Sequence, residues 1–391
     1  MNHRAVVIGA GPVGLAAGAR LMGAGIEPLI LEAGPKVGHT IRDWAHVRVF
    51  TNWASVVDEV AVGMLESSGW VAPEAGEFPT GGDVVDRYLT PLGELLGDRI
   101  RYDHQVTGIT KKNRDKVVTE GRDEVPFLIR VETPDGVTEM TADNVIDASG
   151  TWMTPNPMGA GGLPAIGEEG TVRIRYGIPD VLARERSRYA GRSVMVVGSG
   201  HSAANVLLDL ADLALEEPET VPIWAIRPVD PSKAYGAIEE DELPARGKVG
   251  VELRHRVESG RIELQADFRI VSVSESDGHV ALVGLSADGS ERTLEVDEIV
   301  VATGQRPDLT MTRELRMELD PWLEAPVRLA PLIDPNVHTC LTVPSHGVEQ
   351  LSHPESGFFT VGIKSYGRAP TFLMATGYKQ VESVVAAIAA S

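Results

Sequence analysis

Two short glycine-rich stretches carry chemistry that can be read directly from the residues. The first is Gly9-Ala10-Gly11-Pro12-Val13-Gly14, between the apolar run Ala5-Val6-Val7-Ile8 and a small-residue amphipathic stretch over 12–23. A dinucleotide pyrophosphate is anionic and has to come close to the backbone. The first glycine permits a sharp turn, the second leaves no side chain in the way of phosphate, and the third lets helix and strand pack closely. Backbone N–H groups at a helix N-terminus then face the anion. Glu32 follows Gly14 by 18 residues, at the end of the next apolar run. An acid there can accept hydrogen bonds from adenosine ribose hydroxyls and repels a 2′-phosphate. The loop is expected to hold FAD or NAD rather than NADP; the bland alternative is a structural glycine turn.

The second stretch is Gly198-Ser199-Gly200-His201-Ser202-Ala203, with Ala in place of the third glycine. The apolar run after it ends at Arg227 instead of an acid, with Lys233 close behind. A guanidinium can pair with a 2′-phosphate, so this loop is expected to favour NADPH over NADH. A solvated strand-end charge is the competing reading of Arg227. His201 sits where it could touch the nicotinamide nucleotide, or it is merely a polar residue at a helix start.

These loops need strands before them and helices after them, and the chain supplies that plan twice. The first series runs from the 5–8 strand through the 12–23 helix and a 28–31 strand. It continues to strands at 127–132 and 137–140 around an Asp135-Gly136 turn, and ends at Asp147-Ala148-Ser149-Gly150. The second runs from a 192–197 strand through a helix to about 213 and a 221–226 strand. Strands near 262–273 and 279–285 follow, and the series closes at Ala302-Thr303-Gly304. Such self-similarity outweighs any single motif. The fold class expected is α/β, with two Rossmann-like dinucleotide-binding domains, each three-layered with a parallel sheet plus an antiparallel β-meander. The first is expected to be discontinuous, over 1–160 and 306–391, and the second to span 161–305. The Gly- and Pro-rich stretch 155–170 reads as a linker, and a helix-like run ends the chain over 372–390.

Composition narrows the partners. The 391 residues, 43% hydrophobic and 24% charged, fit a globular protein of two or three domains. The net charge of −20 argues against nucleic acid or an anionic membrane. No apolar run is long enough to span a bilayer, and the N-terminus lacks a signal-peptide pattern, so the expected location is cytoplasmic. The one cysteine, Cys340, allows neither an internal disulfide nor a C-x-x-C pair. Cys340 lies near His338, His346 and His353, soft ligands in principle, but the spacing fits no tight zinc pattern. No metal is expected. His201 beside Ser202 is not a hydrolase pair, since a G-x-S-x-G elbow is missing there.

With two such loops, the chain resembles the two-dinucleotide-binding-domain flavoproteins, which include thioredoxin reductases and flavin-containing monooxygenases. The resemblance spans nearly the whole chain and implies FAD at the first loop and NADPH at the second. Thioredoxin reductases use a C-x-x-C pair, which a lone Cys340 rules out. Val49-Phe50-Thr51-Asn52 is similar to a monooxygenase segment whose Asn lies beside the flavin. That likeness makes Asn52 the candidate catalytic residue, against the plain reading of an Asn in a turn before Trp53. Ala302-Thr303-Gly304 resembles the ATG element of the same family. Met374-Ala375-Thr376-Gly377-Tyr378 looks similar but is misplaced. The signature FxGxxxH is absent, and Ile174-Arg175-Tyr176-Gly177-Ile178-Pro179-Asp180 stands in its place. The segments from Ser149-Gly150-Thr151-Trp152 to Pro157, and Lys364 to Phe372, resemble flavin monooxygenase-like proteins of bacterial arsenic-resistance clusters.

The residues expected to contact FAD are Gly9, Gly11, Pro12, Gly14, Glu32, Ala33, Trp44, Thr51, Val106, Ser149, Gly150, Tyr366 and Thr371. Trp53 and Trp152 are aromatic candidates for the same cavity, or simply packing. Those expected to contact NADPH are Gly198, Gly200, His201, Ser202, Arg227, Thr303 and Gly304. The resemblance implies a monooxygenase that oxidises a soft nucleophile through a peroxyflavin, with a small-molecule substrate and O2 as partners and a homodimer as an open option. The alternative is an NAD(P)H-dependent flavin reductase or electron-transfer enzyme without oxygenation.

Overall fold

The apolar, β-branched start of the chain becomes strand β1 (Asn2–Ile8), and the small residues after the first loop become helix α1 (Pro12–Gly23). Strand β2 (Pro28–Leu31) follows, parallel to β1. Helix α2 (Glu59–Ser67) starts at Asp58, whose carboxylate accepts the Val60 and Ala61 N–H groups and pairs with Arg20 of α1 at 2.8 Å. Strands β3 (Ile100–Arg101), β4 (Gln105–Lys111), β5 (Phe127–Thr133) and β6 (Gly136–Asp147) complete this part. The sheet order is β3-β2-β1-β6-β5-β4. β6 does two jobs: its first half pairs antiparallel with β5, and its second half pairs parallel with β1. The computed structural model describes residues 2–236, 244–276, 278–339 and 342–391.

Both faces of β1 are buried, as a parallel strand between layers requires. Ala5 and Val7 face a cluster with Leu15, Ile30 and Ile146, while Val6 and Ile8 face Leu29, Phe127, Ile129 and Val145.

The second series begins with β7 (Ile174–Tyr176) and β8 (Ser193–Val197), then helix α3 (His201–Glu216) and β9 (Val221–Ala225). Helix α4 (Pro244–Glu258) leads to β10 (Glu263–Gln265). A separate antiparallel meander follows, β11 (Arg269–Ser276), β12 (His279–Leu285) and β13 (Glu291–Val296), before β14 (Glu298–Val301). The five-stranded sheet, β10-β9-β8-β14-β7, is parallel throughout. Its core gathers Met195, Val197, Ile223, Phe268 and Ile299.

The chain then returns. Strand β15 (Phe358–Thr360) pairs parallel with the end of β6, and helix α5 (Met374–Ala390) packs against α1. Two compact units result, 1–154 with 306–391, and 155–305. The stretch 155–170, expected to be a linker, is a packed part of the second unit. The buried Glu168 organises it by accepting N–H bonds from Met158 at 2.8 Å and Ala165 at 2.6 Å. The fold is α/β: each unit combines a Rossmann-like parallel sheet with an antiparallel meander, which in the first unit belongs to the same mixed sheet. Among the described residues no helix is long and apolar enough to cross a membrane.

Candidate functional site

The first loop joins β1 to α1. Gly9 has φ +96°, and a Cβ there would lie 2.8 Å from the Ala148 carbonyl oxygen. At Gly14 a Cβ would lie 2.0 Å from the Gly9 oxygen, so helix and loop touch backbone to backbone. Gly11 is different: a Cβ there would meet nothing within 4 Å. It is the N-cap of α1 without a side-chain cap, and Pro12 opens the helix. The result is an open space over an uncapped, electropositive helix end, which suits an anion.

Glu32 closes one side. Its Oε2 accepts the Ala10 N–H at 2.6 Å and its Oε1 the Gly34 N–H at 2.8 Å. Burial raises its pKa, against the stabilising N–H bonds from Ala10 and Gly34. Each oxygen therefore already has one protein donor, and only the remaining lone pairs are left for a ribose. Ala33 beside it is exposed.

At the end of β6, Asp147 is fully buried and accepts both the N–H and the Oγ–H of Ser149, at 3.1 and 2.7 Å. Lys364, also buried, lies 2.8 Å from Asp147 and donates to Ser149 Oγ at 2.9 Å. The Ser149 hydroxyl thus donates to Asp147 and accepts from Lys364, while the residue itself is exposed. Gly150, at φ +74°, follows it. Sequence reasoning missed Lys364 and Asp147 as a pair; the signal was a lysine amid the apolar turn Gly362–Tyr366.

The C-terminal segment crosses the same region. A Cβ on Gly362 or Gly377 would meet Val13, the second residue of α1. Gln380 is fully buried; its Oε1 accepts the Gly362 N–H at 2.8 Å and its Nε2 donates to Ser365 Oγ at 2.9 Å. Gln380 Nε2 also meets His346 Nε2 at 3.0 Å, while His346 Nδ1 meets the Pro344 carbonyl. These partners fit a neutral imidazole protonated on Nδ1, and burial lowers its pKa. Thr371 is 6% exposed, and its Oγ1 is buried with no partner among the described residues. An orphaned hydroxyl, like the open cradle over the N-terminus of α1, fits a bound polar group.

Not every expected residue faces that cradle. Tyr366 is fully buried between His346 and Phe372, with ring centroids 5.7 and 5.3 Å away, so its ring belongs to the core. Trp53 is 2% exposed and packs in the core under Arg87. Trp44 and Trp152 remain half-buried, 6.3 Å apart, with Trp152 donating to Asp43. Thr51 is half-buried, and Asn52 is the N-cap of the short helix Trp53–Val56, with its Oδ1 accepting from Ser55 at 3.2 Å. Val106 lies on edge strand β4 against the core.

The second loop repeats the geometry. Gly198 has φ +139°, and a Cβ there would lie 2.3 Å from the Ala302 oxygen. Gly200 is the uncapped N-cap of α3 and has open space about it, with His201 exposed and Ser202 half-buried in the first turn. Arg227, two residues past β9, is exposed and donates to the Ala160 carbonyl at 3.1 Å. Thr303 uses its hydroxyl internally, donating to the Asn156 carbonyl at 2.6 Å, and Gly304 accepts the Asn156 N–H.

The histidines near Cys340 do not gather. His346 packs on Tyr366 and His353 on Phe358, and Cys340 lies outside the described residues. Among the described residues no group of three or more His, Cys, Asp or Glu could hold a metal ion.

Comparison with curated protein sequences gave no match. Solved structures of similar fold include bacillithiol disulfide reductase Bdr from Bacillus cereus, at TM-score 0.75 and 18% identity over 100% of this chain and 99% of that one. Ornithine N-hydroxylase from Kutzneria sp. 744 is similar at TM-score 0.67 and 17% identity, over 99% of both chains. Thioredoxin reductase from T. acidophilum is similar at TM-score 0.60 and 14% identity, over 99% of this chain and 98% of that one. At such identities the likeness concerns the fold. A family model, pyridine nucleotide-disulphide oxidoreductase, matches residues 6–328, from β1 through both loops. The chain therefore belongs to the pyridine nucleotide-disulphide oxidoreductase family and is an NAD(P)H-dependent flavoprotein oxidoreductase.

Proposed function

We propose that the chain is an NADPH-dependent FAD monooxygenase that oxidises a soft nucleophile. One contrast carries the cofactor assignment: the first loop is flanked by the buried carboxylate Glu32, the second by the exposed guanidinium Arg227. A carboxylate tolerates ribose hydroxyls and repels a 2′-phosphate, whereas a guanidinium attracts one. FAD thus goes to the first loop and NADPH to the second. Bound FAD would supply the redox chemistry, taking a hydride equivalent from NADPH and passing electrons to O2.

The chain's own residues would do the holding. Gly11 and the N-terminus of α1 would receive the FAD pyrophosphate, and Gly200 with the first turn of α3 that of NADPH. Glu32 would accept from the ribose through its remaining lone pairs. Thr371 Oγ1 would gain the partner it lacks among the described residues. Asn52 would help to orient the oxygen-bearing side of the site, a role the family resemblance suggests. With Cys340 as the sole cysteine, an intrachain dithiol route is closed.

The second reading, an NAD(P)H-dependent flavin reductase without oxygenation, has its own support. Ile174–Tyr176, where the monooxygenase signature would begin, forms the edge strand β7, and Tyr176 is committed to Glu168. Rapid mixing separates the two. The NADPH-reduced holoprotein is mixed with O2 while oxygen uptake, flavin absorbance and peroxide are followed. A resolved delay between oxygen uptake and the return of oxidised-flavin absorbance supports the monooxygenase. Immediate reoxidation with stoichiometric peroxide favours the reductase. No bleaching by NADPH or NADH would reject both.

A further inference from the structure

Arg227 is exposed, yet its guanidinium is tethered. Nη1 donates to the Ala160 carbonyl at 3.1 Å, and Nε and Nη2 have no partner among the described residues. Ala160 is itself anchored, because its N–H donates to the Ile270 carbonyl at 3.2 Å, at the start of β11. The turn holding Ala160 is tight: Gly162 N–H bonds the Gly159 carbonyl at 3.1 Å.

One side chain clamps both ends of this stretch. Glu168, 3% exposed, accepts the Met158 N–H on Oε1 at 2.8 Å and the Ala165 N–H on Oε2 at 2.6 Å. Tyr176 of β7 donates its hydroxyl to the same Oε1. A buried carboxylate saturated by two backbone donors and a phenol fixes the backbone between 158 and 165, and so fixes the carbonyl that holds Arg227.

We propose that Glu168 is a positioning residue for nucleotide selection, acting through Ala160 to hold Arg227 ready for the 2′-phosphate of an adenosine nucleotide. A guanidinium secured by one nitrogen keeps two donors for a phosphate. It also has less side-chain freedom to lose on binding. This inference rests on the reading of the second loop as an NADPH site.

The test uses the FAD-loaded protein and two probes, 2′,5′-ADP and 5′-AMP, whose dissociation constants are measured by calorimetry in wild type, E168Q, Y176F and R227A. In E168Q an amide N–H₂ must face a backbone N–H, so one clamp is lost. E168Q should weaken 2′,5′-ADP by about fivefold, the worth of roughly one hydrogen bond, and leave 5′-AMP unchanged. Y176F keeps both backbone donors and should shift 2′,5′-ADP in the same direction by less; it decides the matter where E168Q does not fold. Equal losses for both probes would mean a merely structural role and overturn the proposal, as would unchanged 2′,5′-ADP binding in the folded variants. If R227A weakens 2′,5′-ADP and neither clamp variant does, the positioning role alone falls. If R227A spares 2′,5′-ADP, the NADPH reading falls and takes the proposal with it.

Discussion

Lys364 Nζ lies 2.8 Å from Asp147 Oδ2, and both side chains are almost wholly inaccessible to solvent. The pair joins the turn before α5 to the end of β6, beside the first glycine loop. Removing one partner of such a pair leaves an uncompensated buried charge. Lys364→Met should therefore destabilise the protein by about 3–5 kcal/mol in urea unfolding. Adding Asp147→Asn should recover much of that loss. A double variant no more stable than Lys364→Met would show that the lysine acts through packing and not through the pair.

The glycines of the first loop separate folding from binding. A Cβ at Gly11 meets no protein atom within 4 Å, whereas one at Gly14 would lie 2.0 Å from a backbone oxygen. Gly11→Ala should keep wild-type stability as apoprotein yet purify with little FAD, since its methyl group occupies the pyrophosphate's approach. Gly14→Ala should lose on the order of 1–3 kcal/mol of stability before any cofactor is added. Unfolding curves of apoprotein and the flavin-to-protein absorbance ratio measure the two effects. Full flavin content in Gly11→Ala would remove FAD from this loop.

The parts of the site that were legible in the sequence are local. A strand, a glycine loop and a helix are consecutive, so Gly9 to Gly14 and Gly198 to Ala203 announce themselves, and strand-end residues such as Glu32 and Arg227 follow by spacing. The Lys364–Ser149 contact spans 215 positions, and no local pattern reports it. The stretch 155–170 misleads because glycine and proline content suggests a linker, while one buried acid, Glu168, makes it ordered. β7 is three residues long and half-buried, too short for alternation to register. The sequence around Tyr366 does not say whether its ring points into a core or a cavity, which depends on the packing of His346 and Phe372 about it.

Arg122 and Glu355 form a second buried pair, at 2.7 Å and with 2% and 1% exposure. Arg122 also donates to the carbonyls of Arg114, Asp115 and Glu314, so it ties the 112–126 loop to the C-terminal segment. An ammonium cannot reproduce this planar fork. Arg122→Lys should cost about 2–4 kcal/mol, although charge is conserved. It should also make the loop newly sensitive to limited proteolysis. Wild-type stability in Arg122→Lys would show that charge alone, not the fork, holds the loop.

Asp209 on α3 gives a pH signature. Burial pushes its carboxyl up to about 7, with Asp212 and Asp180 adding like charge. In the unfolded chain the group ionises near its ordinary value of 3.8, so between that pH and about 7 the folded state alone keeps the proton. The stability tied to this group is therefore complete below the unfolded value and is lost as pH rises through about 7. Asp209→Asn stays neutral at every pH. Its advantage over wild type should be negligible in acid, grow with pH, and level off above neutrality at a gain on the order of 2 kcal/mol, reduced from the full shift by partial solvent access. Urea unfolding of both proteins at intervals between pH 5 and 8 reads this directly. An advantage that is constant with pH, or that shrinks as pH rises, would mean that Asp209 is already charged in the folded protein and that its acidic neighbours are screened by solvent.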